Sequence, residues 1–150
     1  MNSKNETRLY NVIFPFWMLL LFPQIWLIVL PGNFAIDSIV LLFSMIVLKI
    51  ENKKQFYKKQ IFKIFIFGML SDFIGSAYMF FMMLVFDVGH MGDELYLTIP
   101  GFIISAVMIF ILNHFITFRN TDRKLNLKLS LIFAVFTAPY TFFIPSSWLY

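Results

Sequence analysis

Three polar side chains set in long apolar stretches are the residues of this sequence best placed to do chemistry. Asp72 lies in the apolar run 64–86, and Asn113 and His114 lie near the end of the run 96–118. A charged side chain at membrane depth costs about 2.5–3.5 kcal/mol on insertion scales, so such a group tends to face protein or water. Asp72 is therefore a candidate carboxylate for binding a proton or a cation, with His114 and Asn113 as candidate partners.

The partners available to Asp72 are few. Neither apolar run contains Lys or Arg, so the sequence offers no strong cation, and His114 is the titratable group that could approach if the two helices pack. We favour a structural role for Asp72, as an acid hydrogen-bonded inside a tight helix contact, over the role in binding a proton or a cation. The alternative for His114 is an interfacial side chain in contact with lipid headgroups or water.

A second polar pair is predicted nearer the start of the chain. The tripeptide Pro31-Gly32-Asn33 is a strong turn signal and predicts a hairpin between two antiparallel apolar helices. Gln24 and Asp37 then lie at similar distances from the turn. A hydrogen bond between them would satisfy two polar groups that otherwise face lipid. The alternative is that Asp37 binds a ligand.

Small residues recur on the face of the run 64–86 that carries Asp72. Ser71 and Gly75 are separated by three residues, which is the small-xxx-small pattern that lets two helix backbones approach closely. Gly68 and Ser76 extend the same face. This surface is predicted to be a packing face, and it could dock a second membrane protein.

Other chemistries find little support in the sequence. The chain has no Cys, which excludes disulfides and thiolate catalysis, and it lacks the short motifs of serine hydrolases, zinc proteases and nucleotide-binding proteins. His90, Asp93 and Glu94 could ligate a metal, but their spacing matches no metal motif, and a solvated acidic loop is the expected structure. We predict no catalytic residue, no cofactor, no metal site and no nucleic-acid partner.

The composition requires a bilayer around these residues. Of 150 residues, 60% are hydrophobic and 13% are charged, which is too apolar for a soluble domain. A hydrocarbon core of about 30 Å needs about 20 helical residues, and five runs approach that length. The sequence predicts an all-α, polytopic integral membrane protein with a single membrane domain and five transmembrane helices, at 10–30, 33–48, 64–86, 96–118 and 127–148. A re-entrant hairpin over the first two runs and a cleaved signal peptide are the alternatives.

The twelve Lys and Arg residues predict the orientation. Two precede the first run, six lie in a basic loop at 49–63, and four lie around the junction of the last two runs, so five spans place them all on one side. The positive-inside rule makes that side cytoplasmic and predicts an N-in, C-out topology. Four lysines of the basic loop could also bind anionic lipids, namely Lys53, Lys54, Lys58 and Lys59. Topology-setting charge with no specific lipid is the alternative.

The end of the run 96–118 resembles that of a known family. The stretch 110–119 reads FILNHFITFR, and its Asn113-x-x-x-x-Phe118 ending resembles that of GtrA-like membrane proteins, while Asp72 lies upstream in a Gly-containing helix as their acidic residue does. The resemblance implies a role with polyprenyl-linked sugars. It covers at most half of the chain, and His114 and Ile116 replace the aromatic and basic residues that usually follow the Asn. The predicted N-terminal hairpin departs from the four-helix plan of that family.

Two functions of different class follow from these features. The first is a small, non-enzymatic accessory or assembly subunit that docks another membrane protein through the small-residue face, and the short loops favour it because a single copy encloses little interior. The alternative is a small carrier of a lipid-linked or other small solute that uses Asp72, alone or as a homo-oligomer. Abundant Ile, Lys, Asn and Phe are typical of an AT-rich genome, so the predicted location is the plasma membrane of a bacterium.

Overall fold

The computed structural model describes residues 26–86 and 94–143, and all regular structure in those two segments is helical. The elements are α1 (Trp26–Val47), α2 (Lys53–Phe86), α3 (Glu94–Leu112), a π-helix (Asn113–Thr117), α4 (Arg123–Phe136) and a 3-10 helix (Tyr140–Phe143). Four helical segments in these residues are long and apolar enough to cross a membrane, namely Trp26–Val47, Lys53–Val85, Tyr96–Thr117 and Arg123–Phe143. The predicted all-α class is confirmed for this part of the chain.

Helix α1 differs from the predicted hairpin. The chain continues as one helix through Pro31, Gly32 and Asn33, so the turn predicted there is wrong. A proline inside an apolar helix removes one backbone hydrogen bond, and neighbouring helices can compensate for that loss in a membrane protein. The Asn33 side chain donates to residues of α2 instead of stabilising a turn. The predicted helix 10–30 lies largely outside the described residues.

Helix α2 begins eleven residues before the predicted start at 64, and its 34 residues span about 51 Å. The segment predicted as a basic loop at 49–63 is therefore mostly helical, which corrects that prediction. The connection from α1 is a tight turn in which Lys49 and Asn52 have positive φ angles of 50° and 51°. Hydropathy falls before residue 64, where the side chains become polar. The helical backbone nevertheless extends back to Lys53, so hydropathy does not mark the start of α2.

Helices α2 and α3 cross at two glycines. A Cβ atom on Gly75 would lie 2.9 Å from the Gly101 carbonyl oxygen, and one on Gly101 would lie 2.6 Å from Met79 Cγ. Only residues without a side chain allow this approach of the two backbones. At the far end of α3 the π-helix follows without a break, and the Phe118 N–H donates to the Asn113 carbonyl at 2.9 Å.

Helix α4 is shorter than the predicted run 127–148. Its N-terminus is capped by Asp122, whose carboxylate accepts from the Lys124 N–H at 3.2 Å. The helix ends at Phe136, three residues before Pro139, because a proline disfavours helical backbone in the residue that precedes it. The chain then turns into the short 3-10 helix, and residues beyond 143 lie outside the described part.

The apolar core consists of two clusters. The larger cluster lies towards the turn between α1 and α2 and contains Leu41, Met45, Ile61, Ile64, Ile109, Phe118, Leu129 and Phe133. The smaller one is formed by Met79 and Phe142, with Tyr78, Met83 and Phe102 packed against them. Along α2, the residue Asp72 lies between Ile64 and Met79, and along α3, Ser105 lies between Phe102 and Ile109. The described helices therefore hold a polar layer between two apolar clusters.

Candidate functional site

A cavity of about 320 Å³ lies between α1, α2 and the segment that follows α4. Its polar lining includes Asn33, Asp37, Asp72 and Thr137. Asn33 and Asp37 are four residues apart on α1, so they occupy one helix face, and Gly68 and Asp72 have the same relation on α2. The two faces meet at the cavity, which brings two carboxyl groups to one site.

Asp72 is held in place by hydroxyl and amide groups from two other helices. The Ser105 hydroxyl on α3 donates to Asp72 Oδ1 at 2.9 Å. The Asn33 amide on α1 approaches Oδ2 at 3.5 Å, and the same nitrogen lies 3.1 Å from Met69 Sδ. Only 6% of the Asp72 surface is exposed. The carboxyl group is therefore buried, and its position is fixed from both sides.

Asp37 has a different environment. It is also buried, yet it accepts no hydrogen bond from any residue that the structure describes, and its carboxyl group lines the cavity. Gly68 lies opposite, where an added Cβ atom would be 3.5 Å from Asp37 Oδ2. A larger residue at 68 would occupy the space beside this oxygen. The unsatisfied acceptor of the site is thus Asp37.

Two titratable groups of this site are carboxylic acids. Asp37 and Asp72 are close enough to interact electrostatically, and neither forms an ion pair with a Lys or Arg of the described segments. Burial of an unpaired charge is costly in a low-dielectric environment. Such a pair can be neutralised by a proton or by a positively charged ligand, and the cavity gives that ligand a place.

His114 does not join the site. It follows Ser105 by nine residues, about 13 Å along a helix axis, and it belongs to the π-helix. Its ring stacks on Phe110 with centroids 5.4 Å apart and meets Phe115 edge-on at 5.0 Å. The sequence predicts that His114 could approach Asp72. The structure does not bring the two side chains together.

Asn113 forms part of a separate polar region at the basic end of the bundle. It is fully buried, and neither its amide nitrogen nor its oxygen has a hydrogen-bond partner among the described residues. Gln60 Oε1, near the start of α2, and Thr117 Oγ1, in the π-helix, are also buried and without a hydrogen-bond partner among the described residues. By contrast, Asn126 donates to the His114 carbonyl at 3.0 Å and accepts from the Ser130 hydroxyl at 3.1 Å.

The small-residue face of α2 is occupied within the chain. Ser71 and Ser76 are fully buried, and a Cβ atom on Gly75 would meet Gly101, Ser105 and Phe142 within 3.1 Å. Gly68 faces Asp37 on α1. The tight packing predicted for this face is present, but it joins helices of one chain. Docking of a second membrane protein through this face stays a prediction.

The remaining predicted residues fall into two groups. Gln24 and the acidic stretch with His90 and Asp93 lie outside the described residues, and without the hairpin the pairing of Gln24 with Asp37 loses its geometric basis. Lys53, Lys54, Lys58 and Lys59 are exposed on the first turns of α2. In the described segments, no three His, Asp or Glu side chains are grouped so that they could hold a metal ion.

Two residues of the site were missed in the sequence. The sequence predicts Asn33 in a turn, and Ser105 is not among the predicted site residues. Each is a polar residue within an apolar helix, at positions where hydrogen-bonding side chains usually contact another helix. That signal was available for Ser105, whose surroundings in α3 are otherwise apolar.

Comparisons with known proteins add no assignment. No family model matches the chain, and neither curated proteins nor solved structures give a match. The resemblance to GtrA-like proteins therefore rests on Asp72, Asn113 and Phe118 alone, because no family match supports it. The functional interpretation rests on the geometry of the acidic cavity.

Proposed function

We propose that this chain is a small, non-enzymatic, multi-pass membrane protein that binds and carries a small positively charged solute. The observation that carries the proposal is the pair of buried carboxyl groups, Asp37 and Asp72, which line one cavity without a cationic partner among the described residues. Acidic residues at membrane depth commonly mark ion or substrate pathways. Here Asp72 is fixed by two donors, and Asp37 has its acceptors free for the solute.

Three hydroxyl groups near the cavity donate hydrogen bonds to other groups of the protein. Ser105 is fully buried and directs its hydroxyl to Asp72, so the hydroxyl has no access to a solute. The Thr137 hydroxyl donates to the Phe133 carbonyl at 2.8 Å, and the Tyr140 hydroxyl donates to the Val135 carbonyl. These three hydroxyls therefore hold parts of the protein together, and the proposed binding of a solute does not depend on them.

Assembly with another copy or another membrane protein is the second candidate function. Helix α1 favours it, because only 17% of its membrane-spanning window is buried within the chain. Lipid could cover this surface equally well, and the α2 face that the accessory function required is already occupied by α3. We therefore rank solute binding first and consider oligomerisation as one way to enclose a pathway.

The proposed topology follows from the positions of the charges. The ten Lys and Arg residues of the described part lie near the turns at 48–52 and 118–122, and we propose that both turns face the cytoplasm. Lys4 and Arg8 would lie on the same side if residues 10–25 make one more crossing, which gives the five-helix, N-in, C-out arrangement. The proposed location is a bacterial plasma membrane.

The test of cation binding uses two probes of equal shape and opposite charge, tetraphenylphosphonium and tetraphenylborate. Equilibrium dialysis of the purified, detergent-solubilised protein should detect saturable binding of the phosphonium and none of the borate. Asp37→Asn and Asp72→Asn should each weaken phosphonium or tetramethylammonium binding by on the order of tenfold or more, because each removes a compensating charge.

The matched control is Asp122→Asn, which makes the same acid-to-amide change at the exposed N-cap of α4. It should leave cation binding unchanged, since Asn also caps helices well. If neither cation binds in a manner that depends on Asp37 or Asp72, or if the borate binds as well as the phosphonium, the proposed function is wrong.

A further inference from the structure

A second cavity lies on the other side of Asp72. It is a groove of about 390 Å³ between α1 and α2, lined by Leu30, Phe65, Ile66, Met69, Leu70 and Phe73, with Asp72 as the carboxyl group among its lining residues. Three of the groove side chains are between 43% and 46% exposed, namely Ile66, Leu70 and Phe73. The groove therefore opens on the apolar outer surface of the helix pair, which is the surface that meets lipid.

Asp72 connects the groove with the acidic cavity, because it lines both of them. Asn33 lines the cavity and Met69 lines the groove, and the two side chains meet at 3.1 Å beside the Asp72 carboxyl. A ligand in the groove can thus place a polar group at Asp72 while its body stays among apolar side chains. Asp37 lies beyond this contact, as a second acid for the same charge.

The lining restricts the class of ligand that fits. A small hydrated metal ion needs several oxygen ligands, and the groove supplies carbon, sulfur and one carboxyl group. A phosphate-bearing lipid would bring negative charge to an acidic pair and would be repelled. A cation with a large apolar body fits both the acidic pair, through its charge, and the apolar lining, through its body. The Phe65 and Phe73 rings can add cation–π attraction. The groove volume is in the range of about 300–1,000 Å³ typical of small-molecule sites.

We propose that the solute is a lipophilic organic cation that reaches Asp72 laterally, from the bilayer, through the groove between α1 and α2. This inference rests on the proposed function and specifies its substrate class and entry route. It requires the apolar body of the ligand to contribute to affinity, whereas binding of any small cation would satisfy the proposed function alone.

The experiment compares tetraphenylphosphonium with tetramethylammonium, which carries the same charge on a minimal apolar body. The phosphonium should bind on the order of tenfold more tightly. Ile66→Trp and Leu70→Trp, which add bulk to the groove, should weaken phosphonium binding by a similar factor and weaken tetramethylammonium binding less, because the smaller cation needs less of the groove. The control is Ile103→Trp, which adds the same bulk on α3. Ile103 is 54% exposed and does not line the groove.

The outcomes separate this inference from the proposed function. Equal binding of the two cations, lost in Asp72→Asn, would leave the proposed function standing and overturn the lipophilic substrate. Phosphonium binding that the two groove variants and Ile103→Trp all leave unchanged would overturn the lateral route. Loss of binding in Ile103→Trp as well would show that bulk anywhere disrupts the protein, and would equally remove support for the groove. Absence of any cation binding that depends on Asp37 or Asp72 would overturn both proposals.

Discussion

Asp37 and Asp72 show how two residues of one type acquire different roles from their surroundings. Asp72 receives hydrogen bonds from α1 and α3, so its carboxyl group helps to position three helices. Asp37 receives none from the described residues and lines the cavity directly. We infer that Asp72 orients the site and Asp37 provides the free acceptor, although both contribute charge.

Asn113 offers a test of buried polarity away from the acidic site. Neither side-chain atom has a partner among the described residues, and an unsatisfied buried polar group costs about 1–3 kcal/mol. Asn113→Leu is therefore expected to raise the free energy of unfolding by an amount on that order. The measurement is equilibrium unfolding of the detergent-solubilised protein, followed by circular dichroism.

The matched control for Asn113 is Asn126→Leu. Asn126 makes two hydrogen bonds, to the His114 carbonyl and from the Ser130 hydroxyl, so the same substitution there should lower the free energy of unfolding. A stability loss in Asn113→Leu as large as that in Asn126→Leu would show that Asn113 has a hydrogen-bond partner after all, and would contradict the prediction.

At the residue scale, the sequence identified both acids but not their proximity. Asp37 and Asp72 each stood out as polar residues in apolar runs. Their pairing depends on Asn33 and Gly68, which lie on the helix faces that meet. A single sequence does not specify which faces of two helices meet, and the turn predicted at Asn33 assigned that residue to the wrong kind of structure.

At the scale of helices, the crossing of α2 and α3 is the tightest contact described. Gly75→Ala is expected to destabilise the protein by about 1–3 kcal/mol, the usual effect of overpacking, because the nearest atom is the Gly101 carbonyl oxygen at 2.9 Å. A backbone atom cannot rotate away as a side chain can. The added methyl group would also press on Ser105, 3.1 Å away at Cβ, and so disturb the donor to Asp72.

Gly32→Ala is the control for this prediction. Gly32 also lies within a helix, but nothing lies within 4 Å of an added Cβ atom among the described residues. Alanine should therefore be neutral or stabilising by up to about 1 kcal/mol, from its higher helix propensity. Thermal unfolding of both variants measures the difference. Equal stability of the two variants would contradict the prediction, because it would show that the α2–α3 contact accommodates a methyl group without a loss of folding free energy.

Helix limits were predicted well where they coincide with the limits of hydropathy, as for the segment 96–118 and the end of α2 at residue 86. Helix limits were predicted poorly where the helical backbone continues past the end of an apolar run or through a sequence that favours a turn. The lysine-rich start of α2 is polar yet helical, and the Pro31-Gly32-Asn33 signal, which favours a turn in water, lies inside an apolar helix. Local sequence does not decide these cases, because the membrane environment and packing against neighbouring helices determine them.

For the whole molecule, the distribution of charge predicts its orientation. Because the sequence has no Cys, a single introduced cysteine can be labelled without reaction at any native thiol. Its labelling therefore reports the orientation. Glu51→Cys and Asn120→Cys, in the two basic turns, should react with a membrane-impermeant maleimide only after the cytoplasmic side is opened. Tyr96→Cys, 79% exposed at the opposite end of α3, should react in intact cells. The reverse pattern would invert the proposed topology.

The order in which the helices are made has a consequence for the acidic site. Synthesis proceeds from α1 to α4, so Asp37 and Asp72 are both made before Ser105. During that interval Asp72 lacks the hydroxyl that later donates to it, and the lone α1–α2 hairpin has to hold two acids in lipid. The arrival of α3 therefore supplies this donor, and the cavity itself is complete once residues 136–141, which follow α4, have also been made.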